Sequence, residues 1–348
     1  MGESILFYSQ NANSSWYTVC MKYDFVAFGD ITTDCFIKLK EAKVNCDVNE
    51  ENCMLCVKFG QKIPFESVTE VVAVGNGPNA AVSAAKLGLK SAAATEIGDD
   101  ENGMACVERL KQSGVSTEFV GVHQGAHTNY HYVLQYEAER TILIKHEIFE
   151  RSLPKFTEPP KWFYITSLAE GTFDFQHSIA RYAKENGVKV AFQPGTFQIR
   201  AGGEQLKDVY AVSEIFFCNK EESQQILKTK EGNIKKLLGG IRELGPKIAV
   251  ITDGTKGAYI MDGSAAWSVP MYPDPAPPIN RTGAGDATAS TTVAYIIKGV
   301  APKEALLRGI INSASVVQHV GAQAGLLSAD EIEKWYAKRP ANFATTAI

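Results

Sequence analysis

The sequence predicts an α/β fold, a central, mostly parallel sheet sandwiched between helices in three layers. Short β-branched and aromatic runs alternate with longer stretches of helical periodicity: Trp162-Phe163-Tyr164-Ile165 and Val188-Lys189-Val190-Ala191-Phe192 bracket a helix over 173–186. Strands separated by helical crossovers pair in parallel, because a parallel pair needs a connection of that length. Turns rich in Gly, Asn and Asp follow the strands, at the carboxyl edge where open parallel sheets collect their ligands.

Composition bounds the function. The 348 residues are 45% hydrophobic, enough for a sizeable core, and carry a net charge of −4 with a pI near 5.9. Without a dense Lys/Arg block, nucleic acid and anionic membranes are excluded as partners, and no apolar run approaches the ~20 residues of a spanning helix. The seven cysteines are an odd number in a chain that reads without a secretory signal, so reduced thiols and a cytoplasmic location are expected. Residues 1–20 are polar and aperiodic and read as a disordered or non-native extension. Met21-Lys22-Tyr23-Asp24-Phe25 reads as a native start running into the first strand; a genuine tail from Met1 is the alternative.

The first strand ends at Asp30-Ile31-Thr32-Thr33-Asp34. The segment from Glu41 to Glu70 departs from βα alternation and places Cys46, Cys53 and Cys56 in a C-x6-C-x2-C spacing. A zinc site there lacks a fourth ligand, since the histidines lie at 123, 127, 131, 146, 177 and 319, so free thiols on strands are expected. Strand-like alternation returns in Thr128 to Leu134 and Arg140 to Ile144. Val71 to Val74 then leads into Gly75-Asn76-Gly77-Pro78-Asn79-Ala80. That hexapeptide also fits the G-x-G-x-x-A of a dinucleotide-binding dehydrogenase, with Glu96 placed as the ribose-binding acid. Against that reading, the motif is not on the first strand and Pro78 stiffens a loop that must approach a pyrophosphate. It also leaves the glycines around residue 284 unexplained.

Further on, residues 80–88 read as a helix packed closely on the sheet and 91–95 as a strand. Asn102 is placed to cap a helix over 103–112, and Asp99 and Asp100 are given no chemistry. The strand Glu214 to Cys218 delivers Asn219 and, one helical turn later, Glu222 to the carboxyl edge, where both can face one ligand. Ile248 to Ile251 ends at Thr252-Asp253-Gly254-Thr255-Lys256-Gly257. No G-x-x-x-x-G-K-[ST] occurs, which excludes a P-loop NTPase.

The stretch that organises the rest is Asn280-Arg281-Thr282-Gly283-Ala284-Gly285-Asp286. Two glycines around one alanine leave backbone N–H groups uncovered at the mouth of a helix, whose unpaired donors and positive dipole end attract an anion. Asp286 sits at the edge of that cradle, where it can take the proton of a hydroxyl attacking a bound phosphoryl group.

Thr282 to Asp286 resembles the signature of the ribokinase-like (PfkB) family of carbohydrate and nucleoside kinases. Asp30 to Asp34, Gly75 to Asn79, Gly98 to Gly103, Asn219 to Glu222 and Thr252 to Gly257 resemble other family segments and follow the family's order. The resemblance spans 23–327 and implies an ATP-dependent kinase of ribokinase-like fold over 21–340, with lid segments at about 36–70 and 124–146. It makes Asp286 the base, Gly283, Ala284 and Gly285 the anion hole, and Asp34, Gly75, Gly77 and Asn79 the acceptor site. It also implies that Asn219 and Glu222 organise Mg²⁺, through water, and the nucleotide phosphates. Thr252, Gly254 and Gly257 become the ATP loop, and Asn312 the Asn near the adenine. Arg281 would clamp the transferring phosphoryl group. The acidic position that helps bind a monovalent cation in family members is the neutral Asn280 here, which puts K⁺ activation in doubt.

The acceptor implied is a primary hydroxyl of a sugar, the Gly75–Asn79 loop looking like that of sugar kinases. A nucleoside is the alternative, stacked on Phe65, Tyr130, Tyr132 or Tyr136. A non-catalytic relative that only binds sugar or nucleotide is disfavoured by the intact Gly-Ala-Gly-Asp. A homodimer formed through the lid is a further expectation.

Overall fold

The computed structural model describes residues 23–46, 53–136 and 139–348. The expectations for residues 1–20 and for a start at Met21 lie outside them. The chain begins with β1 (Phe25–Phe28), β2 (Thr32–Leu39), β3 (Lys43–Asn45), β4 (Met54–Cys56) and β5 (Phe65–Val74). There follow α1 (Asn76–Lys86), β6 (Ser91–Gly98), α2 (Glu101–Gln112), β7 (Ser116–His123), β8 (Tyr130–Tyr136) and β9 (Glu139–Leu143). The regular βα half comprises β10 (Trp162–Ile165), α3 (Phe173–Asn186), β11 (Lys189–Phe192), α4 (Thr196–Gln205), α5 (Lys207–Val212), β12 (Ser213–Asn219), α6 (Lys220–Ile226), α7 (Ile234–Glu243) and β13 (Ile248–Thr252). It closes with β14 (Ala258–Asp262), β15 (Ala265–Val269), α8 (Ala284–Ile297), α9 (Pro302–Val316), α10 (Ala329–Ala337) and β16 (Thr346–Ala347).

Ten strands form the main sheet in the order β16-β15-β14-β13-β12-β11-β10-β1-β6-β7. From β13 to β7 every pairing is parallel, as the helical crossovers require. The pairings of β13 with β14, β14 with β15 and β15 with β16 are antiparallel. Alternation along β1 sorts the two helical layers. Phe25 and Ala27 face a core shared with α1, α8 and α9, whereas Val26 and Phe28 face one shared with α3, α5 and α7. The strand Trp162–Ile165 and the helix Phe173–Asn186 have the limits read from the sequence. α2 instead starts at Glu101, capped by Asp100, whose Oδ1 accepts the Gly103 N–H at 2.9 Å; Asn102 lies inside the helix. Asp100 also accepts from the Thr128 N–H and hydroxyl, tying the turn to the loop before β8.

A separate four-stranded sheet runs β5-β2-β8-β9, with β2 and β8 parallel. Its strands fall on the stretches expected to build a lid, although β2 begins at Thr32 and β5 runs on to Val74. β3 and β4 form a small hairpin in which Asn45 faces Met54. The next residues outward on the two strands are Cys46 and Cys53, 4.0 Å apart at Cα and joined as a disulfide. Free thiols were expected at both; the hairpin register sets them face to face, which spacing along the chain could not reveal. Cys35, Cys56, Cys106 and Cys218 are free.

The chain leaves the main sheet for the second one between Phe28 and Thr32, and α1 begins against that crossing. Gly77 makes this possible, since a Cβ at 77 would stand 2.9 Å from Cα of Gly29. The atoms it would meet, Cα and N of Gly29, are backbone, so no flexible side chain can yield. Gly77→Ala should therefore destabilise the fold by about 1–3 kcal/mol, as overpacking does, measured by urea unfolding against the parent chain.

Candidate active site

Asp286 lies in the first turn of α8, whose cap is Gly283 at φ 83°. A side chain at 283 would also collide with Ala322, its Cβ 2.5 Å from that residue's Cα. Glycine is thus demanded twice at this turn. It allows the helix to open abruptly, with its first-turn N–H groups lacking intrahelical partners.

The Asp286 carboxylate is buried, and three side-chain amides hold it. Asn76 Nδ2 donates to Oδ1 at 2.8 Å, Gln193 Nε2 to the same oxygen at 3.1 Å, and Asn79 Nδ2 to Oδ2 at 2.8 Å. Burial raises the Asp286 pKa above the usual carboxylate range, and the three amide donors oppose it without cancelling it. The amides are themselves fixed. Gln323 Nε2 donates to Asn79 Oδ1 at 3.0 Å and to the Ala73 carbonyl at 2.7 Å, and the Tyr164 hydroxyl donates to Gln193 Oε1. Asn79 was expected to face acceptor hydroxyls, but Asp286 and Gln323 engage both ends of its amide. Gly75 and Gly77 were expected to offer N–H groups to the acceptor. Gly77 lies against Gly29, and Gly75, at φ 109°, against the Asp30 carbonyl, so neither position has room for a side chain. Their part is to bring α1, and with it Asn76 and Asn79, up to Asp286.

On one side of this turn lies a cavity of about 240 Å³ lined by Thr252, Gly254 and Gly257 from the β13–β14 turn and by Arg281, Ala284 and Gly285. α9 closes it with Ile310, Ser313, Ala314 and Val317. Asn312 does not reach it. That residue is fully buried, its Nδ2 donating to Thr291 Oγ1 at 2.8 Å and its Oδ1 accepting the Leu327 N–H at 2.9 Å, so it ties α9 to α8 rather than facing a base.

Asn219 and Glu222 form a reciprocal capping box at the start of α6. Asn219 Oδ1 accepts the Glu222 N–H, and Glu222 Oε2 accepts the Asn219 N–H, both at 2.8 Å. Burial raises the Glu222 pKa; the Asn219 N–H opposes this, and the charges of Glu221 and Asp286 add to the rise. Glu222 and Asp286 therefore share one edge of the sheet. Among the described residues no group of three His, Cys, Asp or Glu side chains is arranged to hold a metal ion.

On the other side of the turn stand Asp34, 3.4 Å from His131, and Asp30, paired with Arg151. Sequence reasoning missed Asn76 and Gln193 as holders of Asp286, although both lie in turns it had placed at the ligand edge. Arg151 and the histidines offered no motif at all. Against the dehydrogenase reading, Glu96, its candidate ribose acid, is bound to His123 at 2.8 Å.

A parallel sheet with a buried carboxylate at an open helix mouth defines a phosphotransferase class. The model of the pfkB family of carbohydrate kinases matches residues 38–329, and the chain belongs to that family. It is 26% identical over 269 residues to a ribokinase of Mus musculus, covering 72% of this chain and 80% of that one. In fold it is similar to a nucleoside kinase of Methanocaldococcus jannaschii, with a TM-score of 0.75 at 19% identity over 91% of this chain and 99% of that one. A ribokinase of Arabidopsis thaliana complexed with ribose and ATP also gives a TM-score of 0.75, at 18% identity, over 90% and 98% of the two chains. Among the described residues no helix is long and apolar enough to cross a membrane.

Because the amide donors favour the charged carboxylate, removing one should raise its pKa further. In Gln193→Leu the acid limb of the kcat–pH profile should accordingly move to higher pH than in the parent enzyme, as measured by ADP release across a buffer series. A limb that stays in place would mean that Gln193 does not act on the reactive carboxylate.

Proposed function

We propose that this carbohydrate kinase transfers the γ-phosphoryl group of ATP to a primary hydroxyl of a sugar, with Asp286 as general base. The single observation that carries the reading is the Asp286 carboxylate, buried, oriented by three amides and set beside the uncovered first turn of α8. A carboxylate offers about four acceptor positions. Asn76 and Gln193 use Oδ1 and Asn79 uses Oδ2, which leaves a position on Oδ2 for the incoming hydroxyl. The hydroxyl oxygen attacks the γ-phosphorus, the bond to the β,γ-bridging oxygen breaks, and the proton passes to Asp286. The N–H groups of Gly283, Ala284 and Gly285 receive the charge that spreads over the phosphoryl oxygens, and Arg281 adds a guanidinium from the cavity wall.

The nucleotide takes the cavity between the Thr252–Gly257 turn and α9. Asn219 and Glu222 would hold a hydrated Mg²⁺, which would shield the phosphate charges; hard oxygen donors reached through water suit that ion. K⁺ fits poorly beside the turn, because Asn280 is uncharged, buried and already accepting the Thr282 N–H at 2.8 Å. The four-stranded sheet acts as a lid that keeps water, the competing acceptor, from the phosphoryl group. Its exposed Phe65, Val68, Tyr132 and Leu143 suit pairing with the lid of a second copy. A reaction that draws on ATP suits a cytoplasmic location, as do the free thiols of Cys35, Cys106 and Cys218, whereas the Cys46–Cys53 disulfide does not favour it.

Asp286→Asn should lower kcat by at least ~10²-fold while an ATP analogue still binds by calorimetry; turnover close to the parent's would refute the role. Replacing K⁺ by Na⁺ at constant ionic strength should leave turnover unchanged, and a strong dependence on K⁺ would overturn the reading of Asn280.

A further inference from the structure

Five ionisable side chains gather near the start of the second sheet, from the β1–β2 crossing, from β2 and β8 and from the segment after β9. Arg151, with only 4% of its side chain exposed, pairs with Asp30 Oδ1. Asp30 Oδ2 stands 3.4 Å from His146 Nδ1. The His146 ring meets that of His131 edge-on at 5.4 Å, and His131 Nδ1 stands 3.4 Å from Asp34 Oδ1. Asp30 Oδ2, Asp34 Oδ1, His131 Nε2, His146 Nδ1 and Arg151 Nε are all buried and make no hydrogen bond within the protein. A buried polar atom left unpaired is costly, and so many at one spot point to a partner that arrives.

The cluster adjoins the base by two routes. The Asp30 carbonyl abuts Gly75, whose neighbour Asn76 donates to Asp286. His146 packs edge-on against Phe197 at 5.8 Å, at the start of the helix that follows Gln193.

We propose that these five side chains form the recognition site for the phosphoryl acceptor. They select an uncharged compound with adjacent hydroxyls, a free sugar or polyol, over sugar phosphates, sugar acids and nucleosides. The inference rests on the kinase reading above. The carboxylate oxygens of Asp30 and Asp34 need donors, which a phosphate or carboxylate lacks at neutral pH, whereas Arg151 Nε needs an acceptor. A hydroxyl is both at once, and two neighbouring hydroxyls span the Asp30–Arg151–His146 group and the His131–Asp34 group together. The guanidinium is already neutralised by Asp30, so no surplus positive charge is left to hold an anion. A nucleobase needs a flat apolar slot, and these groups present hydrogen-bonding edges instead.

The test is ADP release from ATP with D-fructose, D-ribose, D-glucose, fructose 6-phosphate, gluconate and adenosine. The highest kcat/KM is expected with a free sugar. A phosphorylated, acidic or nucleoside acceptor at the top would overturn the specificity and leave the kinase reading standing. No ADP release with any acceptor, while ATP binds by calorimetry, would sink both. Asp30→Asn combined with Arg151→Gln removes the pair without stranding a charge, and His131→Gln probes the rim without touching that pair. Each should raise the acceptor KM at least about tenfold, as loss of a buried polar contact does, with the ATP KM and the melting temperature unchanged. An acceptor KM equal to the parent's in His131→Gln at the parent's melting temperature overturns the assignment.

Discussion

The structure depends on one costly act, the burial of the Asp286 carboxylate at the mouth of α8. A charge taken from water into a protein interior is tolerated only when hydrogen bonds and charge replace its hydration. Here the replacement comes from Asn76, Asn79 and Gln193, and from the positive end of the helix that carries the acid. Each requirement propagates outward. Asn76 and Asn79 reach Asp286 only because α1 lies against β1, which a glycine pair at 29 and 77 permits. Gln193 is oriented by Tyr164, and Asn79 by Gln323. Even the capping box at Glu222 feels the charge, which helps hold that acid's pKa up.

The same burial serves the chemistry. Burial raises the Asp286 pKa, the direction that would suit it to the role of general base proposed for it. The three amide donors favour the charged carboxylate and so oppose part of that rise. In the proposed mechanism the nucleotide takes the cavity beside α9 and the acceptor the cluster around Asp30 and Arg151.

Local regularities were legible in the sequence. Strand β10 and helix α3 follow directly from runs of aromatic or β-branched residues and from helical periodicity, and the opening of α8 follows from Gly283, where a side chain would not fit. Long-range partners were hidden. Nothing local separates an asparagine that caps its own helix from one that holds an acid 210 residues away, as Asn76 does. Asn312 misled for the same reason, since its polarity announces a partner without saying that the partners are Thr291 and Leu327. Cys46 and Cys53 meet through a hairpin register that a weakly patterned segment does not encode in its periodicity.

The amides around Asp286 come from the early, middle and late parts of the chain, at residues 76 and 79, 193 and 323. No contiguous fragment contains a complete environment for that acid. Proteolytic pieces or shortened splice forms lacking any of these regions would inherit an uncompensated charge rather than a smaller catalyst. The architecture is therefore indivisible at its centre, even though its outer antiparallel strands and its separate sheet look like additions that could be exchanged.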